Sequence, residues 1–242
     1  MRSKPGLFAT DCWKKTARGS AIRLEASRSL ALLNRPILLI GGVHGDEPEG
    51  VELATRATEW LRQHSEHELA PWVSIPCLNV DGFAAGERVN SNGVDINRNY
   101  PASDWSPDYS KPRYFPGPTA ASELETQAVV ELICQTQPRL IIHCHSWEPC
   151  IVFTGAPARA DADRLAASSG YVARESIGYP TPGSLSSYAW DDGVAPVICI
   201  EERDGLPAEA RAAIWTRFAA GFAEIFRDRS MRLSRRAGAG ES

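Results

Sequence analysis

The chain of 242 residues has the composition of an ordinary globular protein, with 43% hydrophobic and 23% charged residues, and it is long enough to bury one substantial core. The formal net charge is −4, and basic and acidic residues are interspersed until the last few positions. The sequence therefore lacks the basic patch that binding to nucleic acid requires, and a small or peptidic partner is expected instead.

The amino-terminal region carries charged residues at short intervals. Asp11, Lys14, Lys15 and Arg18 leave no apolar stretch long enough for a signal peptide or a membrane-spanning helix. Residues 1–20 also show no clear hydrophobic period, so no element is predicted there. We expect a cytoplasmic protein without a membrane partner. The six cysteines form no C-x-x-C pair and several lie in apolar runs, so we expect reduced, buried thiols.

The next segment predicts two strands, a helix and a third strand. Residues 20–26 alternate apolar and polar side chains as an edge strand does, and residues 37–40 are a run of large aliphatics that predicts a buried strand. Pro48 stands at the first turn of a helix that is expected to reach about His64. Residues 72–79 predict the third strand.

A long irregular segment, residues 81–118, is rich in Gly, Pro, Asn, Asp and aromatic residues. Loops of this size in a compact domain are usually functional. After this loop, Ser122 and Glu125 have the spacing of a capping box. This spacing predicts a helix with Ser122 as its N-cap, ending before Pro138.

The second half of the chain predicts two more buried strands and a closing helix. The strands are expected at residues 139–146 and 195–200. The helix is expected from Pro207 to about Arg227, because apolar residues recur there at helical spacing.

The order of these elements indicates an α/β fold. We expect a single catalytic domain at residues 1–230, built on a mixed, mostly parallel central sheet flanked by helices. Residues 231–242 have the composition of a disordered tail.

Three of the predicted buried strands end in side chains that bind metal ions. His44 and Glu47 follow the first strand, His145 ends the second and Glu201 follows the third. Because parallel strands present their carboxyl ends at one edge of a sheet, we expect these side chains to converge. Two imidazoles and one carboxylate with an open fourth position form the ligand set of a catalytic zinc site. Zinc lowers the pKa of a bound water towards about 7, and Glu201 would act as general base.

Four short elements follow one another in an informative order. They are an H-x-x-E pair in residues 41–47, an Asn-Arg-Asn element in residues 93–101, a His-Ser-aromatic element in residues 145–147 and a strand that ends in glutamate in residues 196–201. Together they resemble the zinc carboxypeptidase superfamily. The resemblance implies a carboxypeptidase A-like, phosphorylase/hydrolase-like fold and the hydrolysis of peptide or amide bonds. It also implies one zinc ion held by His44, Glu47 and His145, with Glu201 as the catalytic glutamate.

Two pairs of neighbouring residues compete for roles in this site. His143 and His145 are two apart in a strand and share a face, whereas Glu201 and Glu202 point to opposite faces. The Ser-Trp pair after His145 and the strand match at Glu201 favour these two residues. His143 would then orient the metal shell or simply pack, and Glu202 would meet solvent or form a salt bridge.

The resemblance also implies residues that bind substrate. Asn97 and Arg98 correspond to the pair that clamps the terminal carboxylate of a peptide, for which the planar guanidinium is suited. Tyr179 corresponds to a mobile tyrosine that bonds substrate, although the match needs a one-residue gap and a packing role is the alternative. Arg88 resembles the arginine that polarises the scissile carbonyl, but its spacing to Arg98 is short.

Within the superfamily, residues 44–50, 114–118 and 178–184 most resemble the murein peptide amidases. This resemblance implies a bacterial cytoplasmic enzyme of cell-wall recycling that cuts the bond between γ-D-glutamate and meso-diaminopimelate in the murein tripeptide. The loop at residues 104–113 supplies both signs of charge, as a zwitterionic diaminopimelate side chain would need. Two alternatives remain: a zinc amidohydrolase similar to succinylglutamate desuccinylase or aspartoacylase, and a binding protein on an inactive peptidase scaffold.

Overall fold

The computed structural model describes residues 6–64 and 69–227. Over these residues the chain forms a single α/β domain with helices on both faces of an eight-stranded sheet. The tail expected at residues 231–242 lies outside the described residues. Among the described helices, none is long and apolar enough to cross a membrane.

The strands are β1 (Phe8–Lys15), β2 (Ala21–Ala26), β3 (Ile37–Ile40), β4 (Trp72–Ile75), β5 (Leu140–Trp147), β6 (Cys150–Thr154), β7 (Val172–Arg174) and β8 (Val197–Arg203). They form one sheet in the order β1-β2-β4-β3-β5-β8-β6-β7. The four central strands, β4, β3, β5 and β8, run parallel, whereas β1 and β2 extend the sheet antiparallel on one side and β6 pairs antiparallel with β8 on the other. The predicted mixed, mostly parallel sheet is therefore confirmed.

Helices cover both faces of the sheet, which explains why β3 is apolar at every position. The helices are α1 (Pro48–Gln63), α2 (Val80–Ala85), α3 (Leu124–Thr136), α4 (Arg159–Ser169), α5 (Ala208–Arg211) and α6 (Ile214–Phe226). Ile37 and Leu39 pack in a core with α1, α4 and α6, while Leu38 and Ile40 pack on the other face with α3. The central strands thus have two buried faces, and only their ends are available for a site.

The structure differs from the sequence predictions at the margins of the domain. Residues 8–15 form the edge strand β1, so the strand predicted at the edge, β2, lies one position inside it. The predicted third strand ends at Ile75 because Pro76 has no N–H to continue the ladder. The single closing helix is divided into α5 and α6.

The capping box predicted for α3 is wrong. The N-cap is Glu123, and the Ser122 hydroxyl donates to the Glu123 carboxylate at 2.7 Å instead of accepting from the first turn. The N–H of Glu123 donates to Asn99 Oδ1 at 3.1 Å. A side chain from the long loop therefore binds the N-cap residue of α3, and Ser122 does not cap the first turn.

Candidate active site

The three predicted strands lie side by side and end at one edge of the sheet. β5 is the neighbour of both β3 and β8, and His145 on β5 is in register with Glu201 on β8. Residues directly opposite each other on paired strands point to the same face. His145 and Glu201 therefore project to one side of the sheet, next to the loop after β3 that carries His44 and Glu47.

Two glycines allow the loop after β3 to reach this position. Gly42 has a φ of +59°, a left-handed conformation that side chains rarely adopt. Gly45 lies against α2 so closely that an added Cβ would be 2.0 Å from the Gly82 carbonyl carbon. The loop between His44 and Glu47 is thus fixed by contact with backbone, which cannot move aside.

We expect Gly45→Ala to destabilise the protein by about 3 kcal/mol or more, since the new methyl group would overlap backbone atoms of α2. Chemical denaturation of the purified variant measures this change. Gly86→Ala is the control, because Gly86 has a left-handed φ of +66° but no atom within 4 Å of the added Cβ. That control should lose only the cost of the left-handed backbone, about 1–2 kcal/mol. Equal losses for the two variants would contradict the close packing of Gly45.

The side chains of His44, Glu47 and His145 converge on one point. His44 Nδ1 lies 2.7 Å from Glu47 Oε1, and His145 Nδ1 lies 2.8 Å from Glu47 Oε2. The two Nδ1 atoms are 3.0 Å apart. All three side chains are nearly inaccessible to solvent, so these polar atoms must satisfy one another or bind a ligand.

The outer nitrogens of both imidazoles are already occupied. His44 Nε2 lies 3.1 Å from Asp95 Oδ1, and His145 Nε2 lies 2.9 Å from His143 Nδ1. When each Nε2 donates its proton to these partners, both Nδ1 atoms carry bare lone pairs that face each other. A cation between them removes that repulsion, and two imidazole nitrogens with a carboxylate are the donors that zinc prefers. The residues therefore fit the zinc ion that their pattern predicted.

Asp95 and Arg88 form an outer layer around these donors. Arg88 Nε donates to Asp95 Oδ2 at 2.9 Å, and its Nη1 donates to Glu47 Oε1 at 3.2 Å. The guanidinium also lies over the ring of Tyr114, 5.2 Å from its centroid. Arg88 thus faces the cleft beside Glu47. The sequence interpretation gave Asp95 no role, although it stands two residues before Asn97 in the motif that was recognised.

The two neighbouring glutamates have different surroundings. Glu201 lines the same cleft as His44 and Glu47, and Cys199 Sγ donates to its Oε1 at 3.3 Å. Burial raises the pKa of Glu201 to about 8, and the nearby Glu47 carboxylate adds to this shift. A carboxyl group with such a pKa can both accept and release a proton near neutral pH.

Glu202 lies on the opposite face of β8, where it is fully buried. It accepts a hydrogen bond from the Tyr171 hydroxyl and forms a salt bridge with Arg217 at 2.9 Å. Of the two roles expected for Glu202, the structure shows the salt bridge. The same alternation of faces places Cys144 in the apolar core, away from the histidines on either side of it.

The predicted substrate-binding residues line a cleft of about 430 Å³ next to the histidines. Asn97 Oδ1 accepts from the Leu185 N–H at 2.9 Å, and Arg98 Nη1 donates to the Asn97 carbonyl at 2.7 Å. Tyr179 lies at the mouth with 47% of its surface exposed, and its ring makes an edge contact with Trp147. The structure therefore brings these three residues to the cleft, and Tyr179 is the most exposed of them.

Of the charged residues Asp104, Asp108 and Arg113 in the loop at residues 104–113, only Arg113 lines the cleft. Arg113 lines it and donates to Asp46 Oδ2 at 2.9 Å. Asp104 instead accepts the Gly183 N–H at 2.9 Å and holds the loop that carries Tyr179. Asp108 lies in a neighbouring depression.

Comparisons of the sequence with known proteins agree with this geometry. The zinc carboxypeptidase family model matches residues 15–195, a range that includes His44, Glu47 and His145 and ends before Glu201. Murein peptide amidase A of Escherichia coli (strain K12) is 33% identical over 170 residues, which cover 64% of this chain and 66% of that protein, just under two thirds of its length. Murein peptide amidase A of Vibrio campbellii is 27% identical over 177 residues, 68% of each chain.

Solved structures share the fold over nearly the whole chain. The murein-tripeptide amidase MpaA of Escherichia coli O157 superimposes with a TM-score of 0.72 and 25% identity, covering 93% of each chain. Bovine thrombin-activatable fibrinolysis inhibitor superimposes with a TM-score of 0.74 over 91% of this chain and 88% of that one. Its identity of 17% supports the fold alone. The predicted carboxypeptidase-like fold is thus confirmed.

Proposed function

This chain belongs to the zinc carboxypeptidase family, and we propose that it is a zinc-dependent amidase that cuts the γ-D-glutamyl–meso-diaminopimelate bond of a murein tripeptide. One observation carries the hydrolase part of the proposal. Two imidazole nitrogens and a carboxylate converge within about 3 Å of one another, in a cleft that also holds Glu201, Arg88 and Arg98.

His44, Glu47 and His145 would hold a single zinc ion, which supplies a Lewis acid and makes water a stronger acid when bound. Glu201 would take a proton from the attacking water and deliver it to the leaving nitrogen, and burial moves its pKa upward, towards the range in which both transfers are feasible. Arg88 would donate to the carbonyl oxygen as negative charge develops there.

Substrate would be oriented by the far side of the cleft. Asn97 and Arg98 would bind the terminal carboxylate, since both line the cleft and Arg98 offers a planar set of donors. Tyr179, at the mouth, would close over the bound peptide and donate a hydrogen bond. The cleft also presents both signs of charge, with Arg113 on one wall and Asp191 on another, which supports a zwitterionic substrate such as diaminopimelate. The relatives named murein peptide amidase A support the same substrate.

We propose further that the enzyme works in the cytoplasm in cell-wall recycling, with a catalytic domain at residues 1–230. All six cysteines are unpaired in the structure, as is usual where thiols are kept reduced. A free tripeptide is small enough to enter the cleft without a membrane or nucleic-acid partner.

Purified protein, reloaded with zinc after treatment with a chelator, should release diaminopimelate from L-Ala-γ-D-Glu-meso-diaminopimelate, and the apoprotein should release none. Released amines identified by mass spectrometry give the reading, and metal analysis should find one zinc ion per chain. A set of ordinary L-peptides and N-succinylglutamate serves as control substrates. Hydrolysis of N-succinylglutamate with no cleavage of the tripeptide would show that the enzyme belongs with the aspartoacylase-like amidohydrolases instead.

A further inference from the structure

We propose that His143 is a positioning residue that determines which nitrogen of His145 is free to bind the metal. The inference rests on the proposed zinc site but not on the proposed substrate. It assigns a role to a buried histidine that is neither a ligand of the site nor in contact with the substrate-clamping pair.

The contact between the two histidines is direct and shielded. Both side chains project from the same face of β5, and His143 Nδ1 lies 2.9 Å from His145 Nε2. The two rings are nearly perpendicular, at 87°, with centroids 4.8 Å apart. His143 and His145 are 1% and 2% exposed, so bulk water can hardly replace either imidazole in this hydrogen bond.

The proposed zinc ion sets the direction of this hydrogen bond, because a His145 Nδ1 that binds the metal carries no proton. A neutral imidazole has one N–H and one lone pair. His145 then carries its proton on Nε2 and donates it to His143 Nδ1, and the proton of His143 lies on Nε2, which faces the Ser186 hydroxyl at 3.4 Å. This arrangement leaves the lone pair of His145 Nδ1 directed at Glu47 and His44. The opposite direction would place a proton on His145 Nδ1 and block metal binding.

The two ligand histidines are therefore oriented by different chemistry. With zinc bound, His44 would donate to a carboxylate, Asp95, whereas His145 would donate to a neutral imidazole, His143. The hydroxyl of Ser186 contacts His143 on the side away from His145. Ser186 directly follows Leu185, whose N–H donates to the Asn97 side chain. The segment that contacts the carboxylate clamp thus also supports the ligand His145.

The test separates the hydrogen bond from the volume of the side chain. His143→Asn keeps an acceptor two bonds from Cβ, where Nδ1 stood, while His143→Leu fills similar space without an acceptor. Zinc dissociation constants are measured by competition with a chelator, and the visible spectrum of the cobalt(II)-substituted proteins is recorded as a second reading. We expect His143→Leu to bind zinc about 10–100-fold more weakly with an altered cobalt spectrum, and His143→Asn to stay close to the wild type. Ser186→Ala should also weaken zinc binding, but by a smaller factor than His143→Leu.

Cys144→Ala is the matched control for damage to β5, because Cys144 lies between the two histidines but points into the core on the other face. It should lower the denaturation midpoint and leave zinc affinity unchanged. The inference is overturned if His143→Leu binds zinc as tightly as His143→Asn, or if Cys144→Ala loses zinc to the same extent as His143→Leu. Differences in zinc affinity that follow the expected order in a protein without tripeptide activity would reject the proposed substrate and support the role of His143.

Discussion

Replacing Glu201 with glutamine is expected to lower kcat by about 10²–10⁴-fold, the typical contribution of a general acid–base group, while zinc content stays at one ion per chain. Glutamine keeps the size of the side chain but cannot accept the proton of the attacking water. The proposed metal donors are on other residues, so the ligand set would stay intact. Steady-state kinetics on the tripeptide, with metal analysis of the same preparation, measures both quantities.

Glu202→Gln is the matched control, because the two glutamates are neighbours with similar burial and opposite directions. This change removes the salt bridge with Arg217 and disturbs the hydrogen bond from Tyr171, so it should reduce stability and leave kcat of the folded enzyme unchanged. An active Glu201→Gln enzyme would contradict the general-base role of Glu201, and a folded Glu202→Gln enzyme without turnover would assign that role to Glu202.

His145→Ala should yield protein that does not retain stoichiometric zinc after dialysis. Only His44 and Glu47 would remain as donors. The loss in zinc affinity should therefore be larger than the loss of about 10–100-fold that follows removal of a residue hydrogen-bonded to a ligand. Metal analysis and chelator competition give the measurement. Activity should disappear with the metal and return only in part at high zinc concentration.

His64→Ala provides the control for loss of a histidine as such. His64 follows α1 and stacks on Trp60, away from the cleft. This variant should keep one zinc ion and full activity. If His145→Ala keeps its zinc instead, the neighbouring imidazole of His143 would have to be the ligand.

The parts of the fold and the site that could be predicted depend on short stretches of sequence. Four consecutive aliphatics at residues 37–40 predicted a strand buried on both faces, and the structure shows helices on both sides of it. His44 and Glu47 come directly after that strand, so their position at its end followed from the same pattern. Their meeting with His145 followed from the general rule that parallel strands end at one edge.

Contacts between distant segments could not be predicted in this way. Asp95 bonds His44 across 51 residues, and no local pattern distinguishes it from other loop carboxylates. Asn99 accepts the N–H of Glu123, the N-cap residue of α3, from 24 residues upstream, and the local capping box at Ser122 gave no sign of this contact. β1 was missed because its side chains are half exposed without the regular alternation that marks a strand.

The alternation of Glu201 and Glu202 also ties correct strand pairing to catalysis. A slip of β8 by one residue against β5 would exchange the two carboxylates. The cleft would then receive the glutamate that pairs with Arg217, and the core would receive a carboxylate without that partner. Such a chain would lose folding stability and the proposed general base together, so misregistered molecules would not persist as stable, inactive enzyme.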